Sequence, residues 1–442
     1  MKKDVYVLFL LVLLRYSGAL SLLVEGNRIV PHSFTIVNCF QLLGLLSVDT
    51  SIKVYFKELE APIEFRNSNF SLFQGDFERI LSGLEPWNGQ HVDIIYRITF
   101  PLDIKGSVIA SSRHIPTVLF YVATLSIFTH DEFLVDFLEI NETNHRQPVD
   151  DQVIRHAIDA LPKEVYFVTP SPGSAHAMRR VASTAFLATN HRIIPHGVDM
   201  SLYFAHFNTR SRNSIRAKFG ISSEDILLLH ISALVLCKGI DSMLLALYYS
   251  GLHSPFKLVL KGLDDIYQGY DVVMSRLAVL VDDNVSNKLL MSQIVSTKIV
   301  FIGHTHSFDE LNDLYNAADA YVSPYVSEGF NLPVLEAIAV GVPVFVSSNG
   351  SSAFFVNHVL DNVPGAKERI FLLPSDLYEY NSLTEHTVNP TALYGCLQAH
   401  RAYLGRPLSK YYYYSLRSFL FEHYSWQSIA KQFKKMLHEF AD

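Results

Sequence analysis

The sequence predicts an α/β protein of two doubly wound domains that face each other across a cleft and end in a helix. Three observations carry this. Short apolar runs alternate with helical stretches along the whole chain, a pattern that builds parallel sheets covered on both faces. The alternation halts once, at Ile194–Asp199 and the polar stretch Asn208–Arg216, and then restarts, which marks a boundary between two units. The length of 442 residues is enough for two or three domains with real cores.

In the first unit, Ile52–Phe56, Val92–Arg97, Thr117–Tyr121 and Val165–Thr169 read as buried strands, and Phe34–Leu46 as the first helix. In the second, strands are expected over Asp225–Ser232, Lys257–Leu260, Lys298–Ile302, Ala320–Ser323 and Pro343–Ser347. Helices lie between them near Ile240–Tyr249, Ser307–Ala318 and Leu332–Val340, and Tyr411–Phe440 is mostly helical. The expected organisation is 1–21 a leader, 22–205 the first domain, 206–400 the second and 401–442 a helical segment. A ligand of such a pair binds between the carboxyl ends of the strands.

Composition narrows the function. Lys and Arg number 36 against 43 Asp and Glu, a net charge of −7, which argues against a nucleic-acid partner. A hydrophobic fraction of 49% with 18% charged excludes wholesale disorder. The three cysteines, Cys39, Cys237 and Cys396, form no CxxC pair, which excludes a zinc ribbon and a disulfide framework. At the amino end, Lys2 and Lys3 precede the apolar run Val5–Leu14, then Arg15 and the small residues Ser17, Gly18, Ala19 and Ser21. This is the layout of a secretory signal peptide cut near Ala19–Ser21. A membrane anchor over Val5–Val24 and a first buried element of a cytosolic protein are the alternatives. N-x-[ST] sequons at Asn69, Asn141, Asn284 and Asn349 add little weight to a luminal address.

The segment richest in chemistry is EGFNLPVLEAIAVGVPV, Glu328–Val344. It reads as a loop turning into a helix that Asn331 caps, Pro333 opens and Gly341 ends. The backbone N–H groups of Gly329, Phe330 and Asn331 form an anion site there. Helical side chains lean toward the amino end, so Glu336 and Glu328 flank one pocket. Amides for phosphate with carboxylates for hydroxyls suit a ligand that carries both groups.

Glu328 and Glu336, with seven residues between them, resemble the E-x7-E signature of retaining glycosyltransferases of the GT-B fold, with two Rossmann-like domains. More closely, the chain resembles glycosyltransferase family 4, the glycosyl transferases group 1. DAYVSPYVSEGFNLPVLEA from Asp319 resembles that family's donor-site segment, and IPHGVD from Ile194 the end of its first domain. CKGID, Cys237–Asp241, resembles its K-G element, and Tyr424-Ser425-Trp426 the opening of its last helix. HSFTIVN from His32, with Arg97 and Pro101, extends the match more loosely into the first half.

The resemblance implies an enzyme, a retaining glycosyltransferase taking a sugar from a nucleotide-diphosphate sugar to a glycan, lipid or protein acceptor. Lys238 would touch the donor diphosphate and Glu328 the hydroxyls of the moving sugar. The amides of Gly329 and Phe330 would hold phosphate, and Glu336 the ribose. Where many relatives carry an arginine this chain has Ala233, and Lys261 is the candidate replacement. Ser351 and Ser352, after Asn349-Gly350, are candidate hydroxyl donors to phosphate. The design calls for no metal and no cofactor, because fixed donors take the metal's place. His304 and His306 lack a third ligand. His130, Asp131 and Glu132 read as a loop, His196 as a turn-shaping residue, Cys237 as a packed small residue, and Tyr411–Tyr414 as helix packing. The rival to an enzyme is a non-catalytic sugar or nucleotide binder on the same fold. The leader implies the secretory-pathway lumen.

Overall fold

The structure is a computed structural model that describes residues 20–26, 33–59, 76–98, 114–120, 155–156, 158–264, 268–281, 285–380 and 383–441. Among the described residues the amino-terminal domain is built on seven strands: β1 (Ser21–Gly26), β2 (Lys53–Glu58), β3 (Glu85–Pro86), β4 (Ile94–Arg97), β5 (Thr117–Phe120), β6 (Val165–Thr169) and β7 (His191–Ile193). They pair in parallel in the order β3-β2-β1-β4-β5-β6-β7. Every residue of β4 and β5 is buried, as expected of parallel strands covered on both faces.

The carboxy-terminal domain holds β8 (Ile226–Ile231), β9 (Phe256–Lys261), β10 (Ile299–Ile302), β11 (Ala320–Ser323), β12 (Val344–Ser347) and β13 (Ile370–Leu373). Their order is β10-β9-β8-β11-β12-β13, again all parallel. An antiparallel hairpin, β14 (Ser375–Tyr380) with β15 (Leu383–Val388), follows. Both sheets reverse direction of growth at one place, between β1 and β4 and between β8 and β11. At such switch points the flanking loops diverge and open a crevice.

β1 corrects the expected boundary. Ser21 opens the central strand, and the carbonyl of Leu20, itself buried, accepts from Lys53 N at 2.9 Å. Residues 20 and 21 therefore belong to the first domain's sheet, inside the span 1–21 expected to be a leader. An apolar strand that directly follows an apolar run leaves no mark between them in the sequence.

The last segment is helical as expected. It is two helices, Lys410–Tyr424 and Trp426–Ala441, broken at Ser425, whose Oγ accepts from Ser428 N at 3.1 Å. The second helix buries a stripe, Trp426, Ile429, Ala430, Phe433, Met436, Leu437 and Phe440, at helical spacing. That stripe packs on the first domain's helix Ser33–Val48, with Trp426 stacked on Phe40 at 5.6 Å. Each large apolar side chain so covered contributes about 1.5–3 kcal/mol. Gly197 and Gly44 permit the contact: a Cβ on Gly197 would lie 2.8 Å from Trp426 N, and one on Gly44 2.8 Å from Trp426 O. The chain's end thus ties the second domain back to the first beside the Ile194–Asp199 linker, where Val198 N donates to Tyr424 O at 2.8 Å. Of the four tyrosines at 411–414, Tyr412 and Tyr413 are buried while Tyr411 and Tyr414 are exposed.

Candidate donor site

The loop after β8 brings Lys238 to the switch point. Cys237 carbonyl accepts from Val326 N at 2.8 Å and Ser327 N at 3.2 Å, which fastens this loop to the segment after β11. Gly239 has φ 74° and sits against Pro324, where a Cβ would lie 1.9 Å from the carbonyl oxygen. Only glycine fits there. The close approach sets the Lys238 ammonium on Glu328 Oε1 at 2.7 Å, both side chains 15% exposed. His230 steadies the same region. Its ring is buried and bridges Val322 O at 2.7 Å and Ser232 Oγ at 2.8 Å. Burial pushes its pKa down to about 4, so the ring is neutral.

The backbone N–H groups of Gly329 and Phe330 donate to no protein acceptor among the described residues. They precede the helix Leu332–Val340, whose dipole favours an anion at this end. Asn331 does not cap that helix with its side chain. It adopts φ 75°, a left-handed conformation that Asn tolerates, and its Nδ2 donates to Ser323 Oγ at 3.0 Å. Ser351 also departs from expectation: its Oγ donates to the Glu328 carbonyl, which spends its single proton on the loop. Ser352 is fully buried with its Oγ 2.7 Å from the Tyr325 hydroxyl. Phe330 is buried between Phe355, at 4.9 Å, and His196, at 4.8 Å.

Glu336 lies one turn inside that helix. Its Oε2 accepts from the Tyr315 hydroxyl at 2.8 Å, and Tyr203 is a second hydroxyl partner. Burial of the carboxyl outweighs both bonds and pushes its pKa up from 4.5 to about 7. A raised carboxyl pKa means the folded state binds the extra proton between those values. Its contribution to stability is then full below about 4.5 and lost as pH rises through about 7. Glu336→Gln should remove this slope. Urea midpoints of the two proteins across that range should diverge with wild type falling; parallel curves would reject the shift.

The structure therefore brings Glu328, Lys238, Gly329, Phe330 and Ser351 into one cluster, with Glu336 behind them. Lys261 ends β9 beside Ile231 of β8, is buried, and donates to the carbonyl of Gly262. His304 and His306 stack on each other at 4.4 Å. His196 is buried against Phe120 and Phe330, and burial lowers its pKa to about 3. His130, Asp131 and Glu132, and the sequons at Asn69, Asn141 and Asn284, lie outside the described residues.

Sequence reasoning missed several residues. Tyr203, Tyr315 and His230 carry no motif; only their burial shows their role. At the other switch point Glu25, next to last in β1, faces in register Arg97, which ends β4 and was named from the sequence without this partner. Arg97 Nε donates to Glu25 Oε2 at 2.7 Å and Lys57 Nζ to Oε1 at 2.8 Å. A charge ending each of two apolar runs was the available signal.

Two parallel α/β sheets whose switch points carry these groups define a protein of the GT-B architecture. Residues 211–361 match the sequence model described as glycosyl transferases group 1. A glycosyltransferase from Rickettsia africae superposes with a TM-score of 0.61 at 14% identity, over 96% of this chain and 99% of that one. HepE of Anabaena, solved with UDP and glucose, superposes with a TM-score of 0.60 at 14% identity, over 95% and 100%. An uncharacterised glycosyltransferase of Methanocaldococcus jannaschii is 24% identical over 241 residues, 54% of this chain and 52% of that protein. The match thus spans about half the length of that curated relative. The carboxy-terminal domain thus resembles the glycosyl transferases group 1 over residues 211–361, and the chain as a whole has the GT-B fold.

Proposed function

We propose that the protein is a retaining glycosyltransferase that moves a sugar from a nucleotide-diphosphate sugar to a glycan, lipid or protein acceptor. The observation that carries this is the cluster at the β8/β11 switch point: two amides without protein acceptors among the described residues, the Lys238 ammonium and the Glu328 carboxylate, with Glu336 one turn on. The bond that breaks joins the anomeric carbon to the diphosphate, and an acceptor oxygen takes its place. Negative charge grows on the leaving phosphate, where the amides and Lys238 stabilise it. Glu328 orients the sugar hydroxyls and offsets positive charge on the ring. The E-x7-E spacing supports retention, in which the leaving phosphate takes the acceptor's proton on the face it departs from. Fixed donors serve this chemistry without a metal.

A thermal-shift screen of nucleoside diphosphates and their sugars identifies the donor, since a native-state ligand raises the melting temperature. Glu336→Ala should weaken binding of the bare diphosphate by roughly 1.5–3 kcal/mol, the worth of a charge-assisted bond, while Glu328→Ala leaves it nearly intact and lowers turnover. Equal losses in both would sink the assignment. Ala233, in place of a cation, is the feature that favours a non-catalytic binder. Hydrolysis of the donor without acceptor decides against the binder.

The leader supports a luminal address in the secretory pathway. In a secretory host the mature chain should begin near residue 20 and carry glycans at some of Asn69, Asn141 and Asn284. Asn349 should stay bare: its Nδ2 donates to Ser375 O and Oγ, both at 3.1 Å, and its carbonyl accepts from Tyr325. Intact mass and glycopeptide mapping check this, and an uncleaved, unglycosylated chain would reject the address.

A further inference from the structure

The donor loop is held partly from the other domain. Its Gly329 carbonyl accepts from Ser171 Oγ at 2.8 Å and Ser174 Oγ at 3.0 Å. Both serines belong to the amino-terminal domain, at the start of the helix Pro172–Val181, and both are buried. The preceding carbonyl, of Glu328, accepts from Ser351. A trans peptide is planar, so the N–H that follows a carbonyl points the opposite way. Holding the Glu328 carbonyl on Ser351 therefore aims the Gly329 N–H. Holding the Gly329 carbonyl on the two serines aims the Phe330 N–H. These are the two amides that donate to no protein acceptor among the described residues. Gly173 makes the approach possible: a Cβ there would lie 2.7 Å from Ser351 Oγ and 3.1 Å from its Cα.

We propose that Ser171 and Ser174 are positioning residues that orient the Phe330 amide toward a diphosphate from across the cleft, so that donor binding draws on both domains. The proposal rests on the reading of this loop as a phosphate site. Without the two hydroxyls the Gly329–Phe330 peptide is free to rotate, and its carbonyl can turn toward the anion and repel it. With them the donor is aimed before the ligand arrives, and hydrogen bonds to the carbonyl polarise the peptide and strengthen its N–H. Ser171 has a second task. Its Oγ also accepts from Ser174 N at 3.1 Å and caps the helix. A test must separate the cap from the clasp.

The experiment is calorimetric titration of UDP, ADP, GDP, CDP and dTDP into the full chain, repeated on S171G/S174A, S174A and S171T. Glycine is a nearly adequate cap, costing a few tenths of a kcal/mol, so the double variant loses the clasp and keeps the helix. It should bind the preferred diphosphate about tenfold more weakly, the worth of one good hydrogen bond. Its melting temperature without ligand should stay within about 2 °C of wild type. S171T keeps both hydroxyl and cap and should bind as wild type does. Affinity of S171G/S174A within twofold of wild type overturns the proposal and leaves the donor reading standing. An equal loss in S171T shows a packing role and overturns it as well. If wild type binds none of the five, the donor reading falls and the proposal with it. Should the double variant not fold, S174A decides, since Ser171 still caps: a loss of about threefold supports the clasp, and unchanged affinity overturns it.

Discussion

Lys238→Ala should slow sugar transfer by about a hundredfold or more, the roughly 2.7–4 kcal/mol that one preorganised donor to a developing anion supplies. The structure adds a reason for a large effect. The ammonium sits 2.7 Å from Glu328, so the change removes a cation and also leaves that carboxylate unpaired beside the leaving diphosphate. Two losses then act in one direction. Lys238→Arg keeps the charge and should recover part of the rate. Lys261→Ala is the comparison: its side chain is buried at the end of β9 with its ammonium on the Gly262 carbonyl. If Lys261 also serves the diphosphate, the double variant should lose less than the sum of the two single losses, since both would act on one anion. Single-turnover rates with the donor identified by the thermal screen check this. A loss below about twofold in Lys238→Ala would remove it from the chemistry, because surface substitutions stay within about ±0.5 kcal/mol.

Arg216→Ala should destabilise the fold by about 3–5 kcal/mol, the range for removing one partner of a buried ion pair. The guanidinium is 4% exposed and the Asp319 carboxylate 8%. Nη1 donates to Asp319 Oδ2 at 2.8 Å and to Ala317 O at 3.2 Å. Nη2 reaches Ser222 O at 2.8 Å and Asp225 O at 2.6 Å. Asp319 in turn accepts from Leu227 N at 2.8 Å and from Arg212 at 2.5 Å. Alanine would leave three carbonyls without this donor and a buried carboxylate with only Arg212 as its cation. This network joins the amino ends of β8 and β11, whereas the candidate donor site lies at their carboxyl ends. Activity per folded molecule should therefore hold while the urea midpoint falls. A shift under about 1 kcal/mol would place the pair in the surface class.

How far the sequence reaches is clear from particular elements. Val165–Thr169, Ala320–Ser323 and Leu332–Val340 match expectation at both ends. Each is an apolar run bounded by turn residues or glycine, so burial and chain direction agree locally. β1 was hidden by the apolar run before it, and β7 and β13 are short runs of three and four residues. In the candidate site, Glu328, Glu336 and Lys238 are read from motif spacing, which is local, and the structure sets Lys238 on Glu328. Asn331 was misread as a side-chain cap because its left-handed φ depends on the turn around it.

What the sequence by itself determined is the parallel α/β class, its two sheets, and the grouping of two carboxylates and a lysine that makes the candidate site. Those follow from periodicity, turn chemistry and short spacing, which act within a few residues of one another. The tertiary structure alone decided which surfaces meet. It placed Ser171 and Ser174 on a carbonyl 158 and 155 residues away, and the last helix on the first domain. It also buried the Glu336 carboxyl, which raises its pKa against the opposing hydrogen bonds of Tyr315 and Tyr203. The physical reason is that a pattern shows which face of an element is apolar or which group donates. What covers that face, or accepts that bond, is settled only when distant segments pack and exclude water.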